Sequence, residues 1–160
     1  MTLRRVGRAL GWARLQVGVR ESPPGSRRGC RIDEWQQQFG IVGMPWCGAF
    51  VGCALGEAGI DVPAGIVSVA TIHRWATNGE HGFWWTGWHA REPGDLVLFK
   101  FRDGDRVADH VGILDWDCEH TIEGNTTQGV AGTQEDGGTV ARRCRHAGSI
   151  VGCARPRWTR

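Results

Sequence analysis

Residues 43 to 59 read GMPWCGAFVGCALGEAG, which sets Cys47 at the start of a run with helical spacing. Its position beside the first N–H groups of that helix is more specific than its burial. No preceding turn satisfies those groups, and they form the positive end of the helix dipole. A thiol placed there is readily activated as a nucleophile, and the same N–H groups can hold an oxyanion that forms on an attacked carbonyl. Taken alone, Cys47 is equally well explained as a buried thiol. Cys53, six residues on, leaves the helix in another direction and reads as a packing residue.

A nucleophilic cysteine needs a base, most often histidine, and six histidines are available. His73 falls in a helical stretch, His81 and His89 in a tryptophan-rich loop, His120 at the start of a strand and His146 near a turn. Only His110, in ADHVGILD, lies within a patterned strand. It shares a face with Gly112, whose missing side chain is expected to leave that face open to a substrate. A hairpin closed symmetrically about Trp116-Asp117 sets Glu123, in HTIEG, directly opposite His110, with Cβ atoms about 5 Å apart. Glu123 would then accept the imidazole N–H and fix its tautomer, with Asn125 one step along on the same face. One more loop residue reverses this parity, and taken singly Glu123 is an ordinary edge-strand carboxylate.

The elements that must hold these residues follow from periodicity. Val6, Ala9, Leu10, Ala13 and Val17 predict a first amphipathic helix over 4–18, ended by ESPPGS. Ile32, Trp35 and Phe39 predict a second over 32–39. Cys47, Phe50, Val51, Ala54, Leu55 and Ala58 predict a third, with Gly59 as its C-cap, and Val69, Ile72 and Trp75 or Ala76 a fourth over 68–76, stopped by Asn78-Gly79. The period then changes to short strand-like runs at 95–101, 108–115, 120–124, 138–144 and 149–154. Helices first and strands afterwards, with connections too short for crossovers, predict an α+β domain with N-terminal helices packed on a C-terminal antiparallel sheet.

Composition sets the outer limits. A chain of 160 residues, 41% hydrophobic and 22% charged, is expected to form one domain with one core, without a separate wall-binding domain, over a core of about 18–156. Arg8 and Arg14 interrupt any apolar run after Arg4 and Arg5, so no signal peptide and no membrane span is expected. A net charge of +2 is too small to argue for nucleic acid, and no nucleic acid partner is expected; the basic end ARRCRHAGSIVGCARPRWTR could favour an anionic polymer such as a bacterial wall but reads more simply as a solvated face. Six cysteines, at 30, 47, 53, 118, 144 and 153, show no zinc-ligand spacing, and a Cys144–Cys153 bridge stays open.

PWCGAFVGCAL (45–55), PGDLVLF (93–99), DHVGIL (109–114) and TIEGNT (121–126), in this order, resemble the CHAP family of cysteine, histidine-dependent amidohydrolases/peptidases within the papain-like, NlpC-type hydrolases. The resemblance runs from about Gly18 to SIVGCARP. It implies a papain-like CHAP fold, with Cys47 as nucleophile, His110 as general base and acid, Glu123 as its orienter and Asn125 as an auxiliary polar residue. The implied substrate is bacterial peptidoglycan, cut at the N-acetylmuramoyl-L-alanine amide or within the stem peptide and cross-bridge. The resemblance is strongest to phage endolysins, which implies a monomeric enzyme made in the host cytoplasm and released through a holin. Met44 departs from the family, replacing a polar residue frequent three positions before the cysteine.

Trp84, Trp85 and Trp88, in HGFWWTGWHARE, together with Trp46 beside the cysteine, are the candidate substrate contacts; a satellite hydrophobic cluster under a long loop accounts for the first three equally well. No cofactor is needed, and the alternating acids Asp115, Asp117 and Glu119 lack the spacing of a calcium loop, so no metal is expected. The rival expectations are a non-catalytic wall-binding module and, less well supported, a single-stranded nucleic acid binder using Arg and Trp.

Overall fold

The change of period along the sequence corresponds to a change of layer in the computed structural model, which describes residues 2–129 and 134–159. Among the described residues four helices come first: α1 (Thr2–Leu15), α2 (Cys30–Gln37), α3 (Cys47–Glu57) and α4 (Val69–Asn78). Six strands follow: β1 (Phe83–Thr86), β2 (Leu96–Phe99), β3 (His110–Leu114), β4 (His120–Thr126), β5 (Thr139–Cys144) and β6 (Ile150–Pro156). They form one sheet in the order β1-β6-β2-β3-β4-β5, with every neighbouring pair antiparallel. The α+β expectation holds, and so do the four helices, with ends shifted by a few residues. The addition is β1, which pairs with β6 inside the segment expected to be a loop.

Local chemistry sets the helix ends. Ser68 caps α4, its hydroxyl accepting from Thr71 N at 3.3 Å, and Gly79 closes it at φ +71°. Helix α3 is more deeply placed than an amphipathic stripe requires, since every residue from Cys47 to Leu55 is buried. Gly48 makes this packing workable: a Cβ there would stand 2.4 Å from the carbonyl oxygen of Ile66, so only glycine lets the 3-10 turn over Ala64–Val67 close onto the first turn of α3.

On the other side of α3 a cluster of rings joins the helices. Trp35 meets Trp12, Trp46 and Phe50 with centroids 5.6, 5.8 and 5.5 Å apart. Trp46 is fully buried in this cluster, and its Nε1 donates to Glu21 Oε1 at 2.9 Å. Trp46 is therefore an anchor of the core, which corrects its assignment as a substrate contact. The turn before Cys47 is fixed at both ends, because Gln36 Oε1 accepts from Met44 N at 2.9 Å.

Val111 and Ile113 of β3 face the helices, while Leu114 packs with Val97, Phe99 and Cys153 in a second cluster. The alternation places His110 with Phe99 and Phe101, whose ring centroids lie 6.0 and 5.7 Å from the imidazole. Cys144 and Cys153 are both free thiols. Strands β4, β3 and β2 lie between β5 and β6, a separation of about 19 Å at four strand spacings, so the bridge left open by the sequence cannot form.

Candidate active site

Cys47 is the first residue of α3, and Phe50 N, bonding Trp46 O at 2.9 Å, is the first donor of the helical ladder. The N–H groups before it therefore face the end of the helix beside the thiol. Strand β3 begins at His110, next to this helix end, and the loop before it is held by Asp109, whose carboxylate accepts from Phe101 N at 3.0 Å and Arg102 N at 2.8 Å. Both thiol and imidazole are buried, with 4% and 0% of their surface exposed.

His110 Nε2 donates to Glu123 Oε2 at 2.9 Å. An ionised carboxylate can only accept, so the proton sits on Nε2 and leaves Nδ1, which has no hydrogen-bond partner of standard geometry among the described residues, as the nitrogen available to Cys47. Burial works against a charged imidazole, yet the neighbouring Cys47 sulfur together with the hydrogen bond and charge of Glu123 outweighs it, and His110 holds its proton well above the ordinary histidine range. Burial likewise opposes the Glu123 carboxylate, while His110 and Arg145 hold it well below the usual carboxyl range. Cys53 behaves differently: burial, aided by the charge of Glu57, pushes its thiol up to about 12, as suits a packing residue.

The route by which Glu123 reaches His110 corrects the expected register. Ile113 pairs with Ile122 and Leu114 with Thr121, so the hairpin turns on Asp117-Cys118 and every pairing moves by two residues. The face is preserved, but Glu123 stands opposite Gly112 and reaches His110 diagonally. A Cβ at Gly112 would lie 2.5 Å from Glu123 Cγ. The space over Gly112 is filled by this glutamate, which corrects the expectation that the glycine leaves this face open to a substrate.

Asn125 leaves the face assigned to it. Strand β4 carries an irregularity between Glu123 and Thr126, and Asn125 adopts φ +56° there. Its amide donates to Asp136 Oδ1 at 3.0 Å and accepts from Gly138 N at 3.3 Å, closing a loop rather than bonding His110. Two groups that the sequence reading passed over do reach the site. Thr121 Oγ1 donates to Glu123 Oε1 at 2.5 Å, and Arg145 pairs with both carboxylate oxygens. Counting by two from Ala141, the partner of Glu123 on β5, puts Arg145 on the same face, but only once that register is known.

A cleft of about 530 Å³ opens on Cys47. Met44, Pro45, Val67, Val69 and Ala108 give it apolar walls, and Arg106 and Asp109 give it a charged end. Trp84, Trp85 and Trp88 do not line it. Trp84 is 41% exposed on edge strand β1; Trp85 packs on Gly152 and on His73, with ring centroids 5.0 Å apart; and Trp88 lies under the Arg91 guanidinium at 4.2 Å. Trp85 thus packs on the main core, Trp88 on the smaller cluster and Trp84 on the sheet edge, so the cleft walls are built without the three tryptophans. The acidic turn is occupied by arginines: Asp115 accepts from Arg14 and Arg142, and Asp117 from Arg142. Among the described residues, no helix is long and apolar enough to cross a membrane.

No protein-family model matches the sequence, and no curated protein matches it. Similarity appears at the level of solved structures. The P60 domain of antigen MAP1204 from M. avium subspecies paratuberculosis superposes with a TM-score of 0.60 at 13% identity, covering 99% of this chain and 98% of that one. The peptidoglycan hydrolase RipB of Mycobacterium tuberculosis gives 0.59 at 15% identity over 98% of this chain and 66% of RipB, so the chain spans just under two thirds of that protein. RipD of M. tuberculosis, described as a non-catalytic NlpC/p60 domain protein adapted to peptidoglycan binding, gives 0.55 at 14% identity, covering 94% and 95% of the two chains. The chain thus has the papain-like α+β fold of these NlpC/p60 domains.

Proposed function

We propose that this chain is a cysteine-dependent peptidoglycan hydrolase of CHAP type, acting either as an N-acetylmuramoyl-L-alanine amidase or as a stem-peptide or cross-bridge endopeptidase. The observation that carries this reading is that Cys47, at the start of α3 and lining the cleft, neighbours a buried His110 that is hydrogen-bonded to Glu123. In the reaction the Cys47 sulfur attacks the amide carbonyl while His110 holds the thiol proton. The N–H groups at the start of α3 stabilise the oxyanion, and His110 passes the proton to the departing amine as the C–N bond breaks. Water, deprotonated by His110, then attacks the thioester, and the carboxylic acid leaves with the thiol restored.

The lining of the cleft agrees with such a substrate. Its apolar walls suit small alanyl side chains, and Arg106, which has no ion-pair partner among the described residues, offers a cation to the carboxylates of a stem peptide. The likeness to RipB in fold supports a wall substrate, and the likeness to RipD supplies the rival, a module that binds the wall without cutting it. The complete Cys–His–Glu chain favours catalysis. On this reading the endolysin-like role, with release through a holin, is part of the same proposal.

Mass spectrometry of purified peptidoglycan digested by the protein tests it. A new amine on L-alanine identifies the amidase and one elsewhere the endopeptidase; wall binding with no new amine identifies the non-catalytic module and overturns the proposal.

A further inference from the structure

The Glu123 carboxylate has a second partner, which takes no part in making or breaking bonds. Arg145, the residue after β5, has a side chain only 7% exposed and meets Glu123 edge to edge, Nε lying 2.9 Å from Oε1 and Nη2 2.5 Å from Oε2. Nη2 also donates to Thr126 Oγ1 at 2.8 Å and Nη1 to Gln134 Oε1 at 2.6 Å. The guanidinium carbon lies 4.8 Å over the ring of Phe101, the same ring that packs against His110. A planar fork with five donors, held on all sides in this way, has one orientation and imposes it on the carboxylate it grips.

Two effects on His110 follow. The first is geometric: with the plane of the carboxylate fixed, Oε2 stays aimed at Nε2, and Nδ1 stays available to Cys47. The second is electrostatic. Proton movement between Cys47 and His110 interconverts a neutral pair and a thiolate–imidazolium pair. A lone buried Glu123 would set a full negative charge beside both states, binding the proton on His110 too firmly for it to reach the leaving amine. Arg145 cancels that charge at the far side of the carboxylate.

We infer that Arg145 is a positioning residue for the hydrolysis, orienting Glu123 and balancing its charge so that His110 both takes up and returns the proton. This inference rests on the reading of Cys47 and His110 as the reacting pair.

The test uses the whole chain and two variants. Arg145→Gln removes the charge and the fork, whereas Arg145→Lys keeps the charge and removes the fork. Proton loss from His110 is followed by the NMR signals of its ring across pH, and hydrolysis is followed on peptidoglycan. Arg145→Gln is expected to move the His110 midpoint up by about one pH unit. Arg145→Lys is expected to leave the midpoint close to wild type. In both variants kcat falls about tenfold or more at little-changed KM, a fraction of the roughly 10²- to 10⁴-fold that acid–base catalysis supplies as a whole. An unmoved midpoint in Arg145→Gln, or an undiminished kcat in Arg145→Lys, overturns the inference. If Arg145→Gln fails to fold, the kcat of Arg145→Lys alone decides it. Should the wild-type chain release no wall product, the proposed function falls, and the His110 midpoint still decides whether Arg145 acts on that ring.

Discussion

Glu123 reaches His110 by crossing over Gly112. The carboxylate ends 2.9 Å from Nε2, and a methyl group at position 112 would stand 2.5 Å from Glu123 Cγ. The orienting contact is therefore a diagonal one, which needs a long acid on β4 and no side chain beneath it. Gly112→Ala is expected to displace Glu123 and to cost about 1–3 kcal/mol in stability by overpacking. Hydrolysis should fall further than stability does, because the orientation of His110 is lost while the fold persists. Urea unfolding alongside kcat measures the two effects; an alanine variant with wild-type kcat contradicts the diagonal arrangement.

The pH dependence of the pair has a definite sign. The folded-state pKa of Glu123 is depressed, so its contribution to stability is present above the ordinary carboxyl value of about 4.3 and is lost as pH falls through the depressed value. That of His110 is raised, so its contribution is full below about 6.5 and is lost as pH rises through the raised value. The excess stability of wild type over Glu123→Gln should therefore peak between about pH 4.3 and 6.5 and narrow on either side. In Glu123→Gln the imidazolium also loses its carboxylate, so the alkaline limb of activity should move to lower pH. Urea titrations and rate profiles across pH read both effects, and a stability difference that is flat with pH contradicts the account.

Trp46 and Trp84 are expected to separate structure from surface. Trp46→Phe removes the donor to buried Glu21 and should cost about 1–3 kcal/mol, lowering Tm while KM stays unchanged in the folded protein. Trp84→Ala, on the exposed edge strand, should leave both Tm and KM close to wild type. A large rise in KM for Trp84→Ala would return that tryptophan to the binding surface.

Arg106 is expected to act on binding alone. It lines the cleft with Cys47 but makes no hydrogen bond to His110 or Glu123, so Arg106→Ala should raise KM for a carboxylate-bearing stem peptide with kcat little changed. Steady-state kinetics on soluble muropeptides reads the split. An equal loss in kcat would place Arg106 in contact with the transition state instead.

What the sequence disclosed depended on how local the signal was. Cys47 was legible because a breaker, a helix start and a thiol lie within five residues. His110 and Glu123 were legible because the face of a strand is set by parity, and the two-residue shift in register preserved parity. The same shift made the role of Gly112 unreadable. Asn125 was misplaced because a local irregularity with φ +56° breaks the period of two, and no residue type there announces it. Arg145 was hidden in the basic run ARRCRHAG, where only the pairing of β4 with β5 distinguishes it from its exposed neighbours Arg142 and Cys144. Trp46 was ambiguous because its neighbour Cys47 suggested a role in binding, while its partner Glu21 lies 25 residues earlier in the chain.

The central claim is that Cys47 is the nucleophile of an amide hydrolysis. The most direct measurement is the release of new amines from purified peptidoglycan by wild type and by Cys47→Ala, with the fold of the variant checked by its thermal unfolding. The account predicts release by wild type and none above background by a folded Cys47→Ala; release by the alanine variant at the wild-type rate would contradict it.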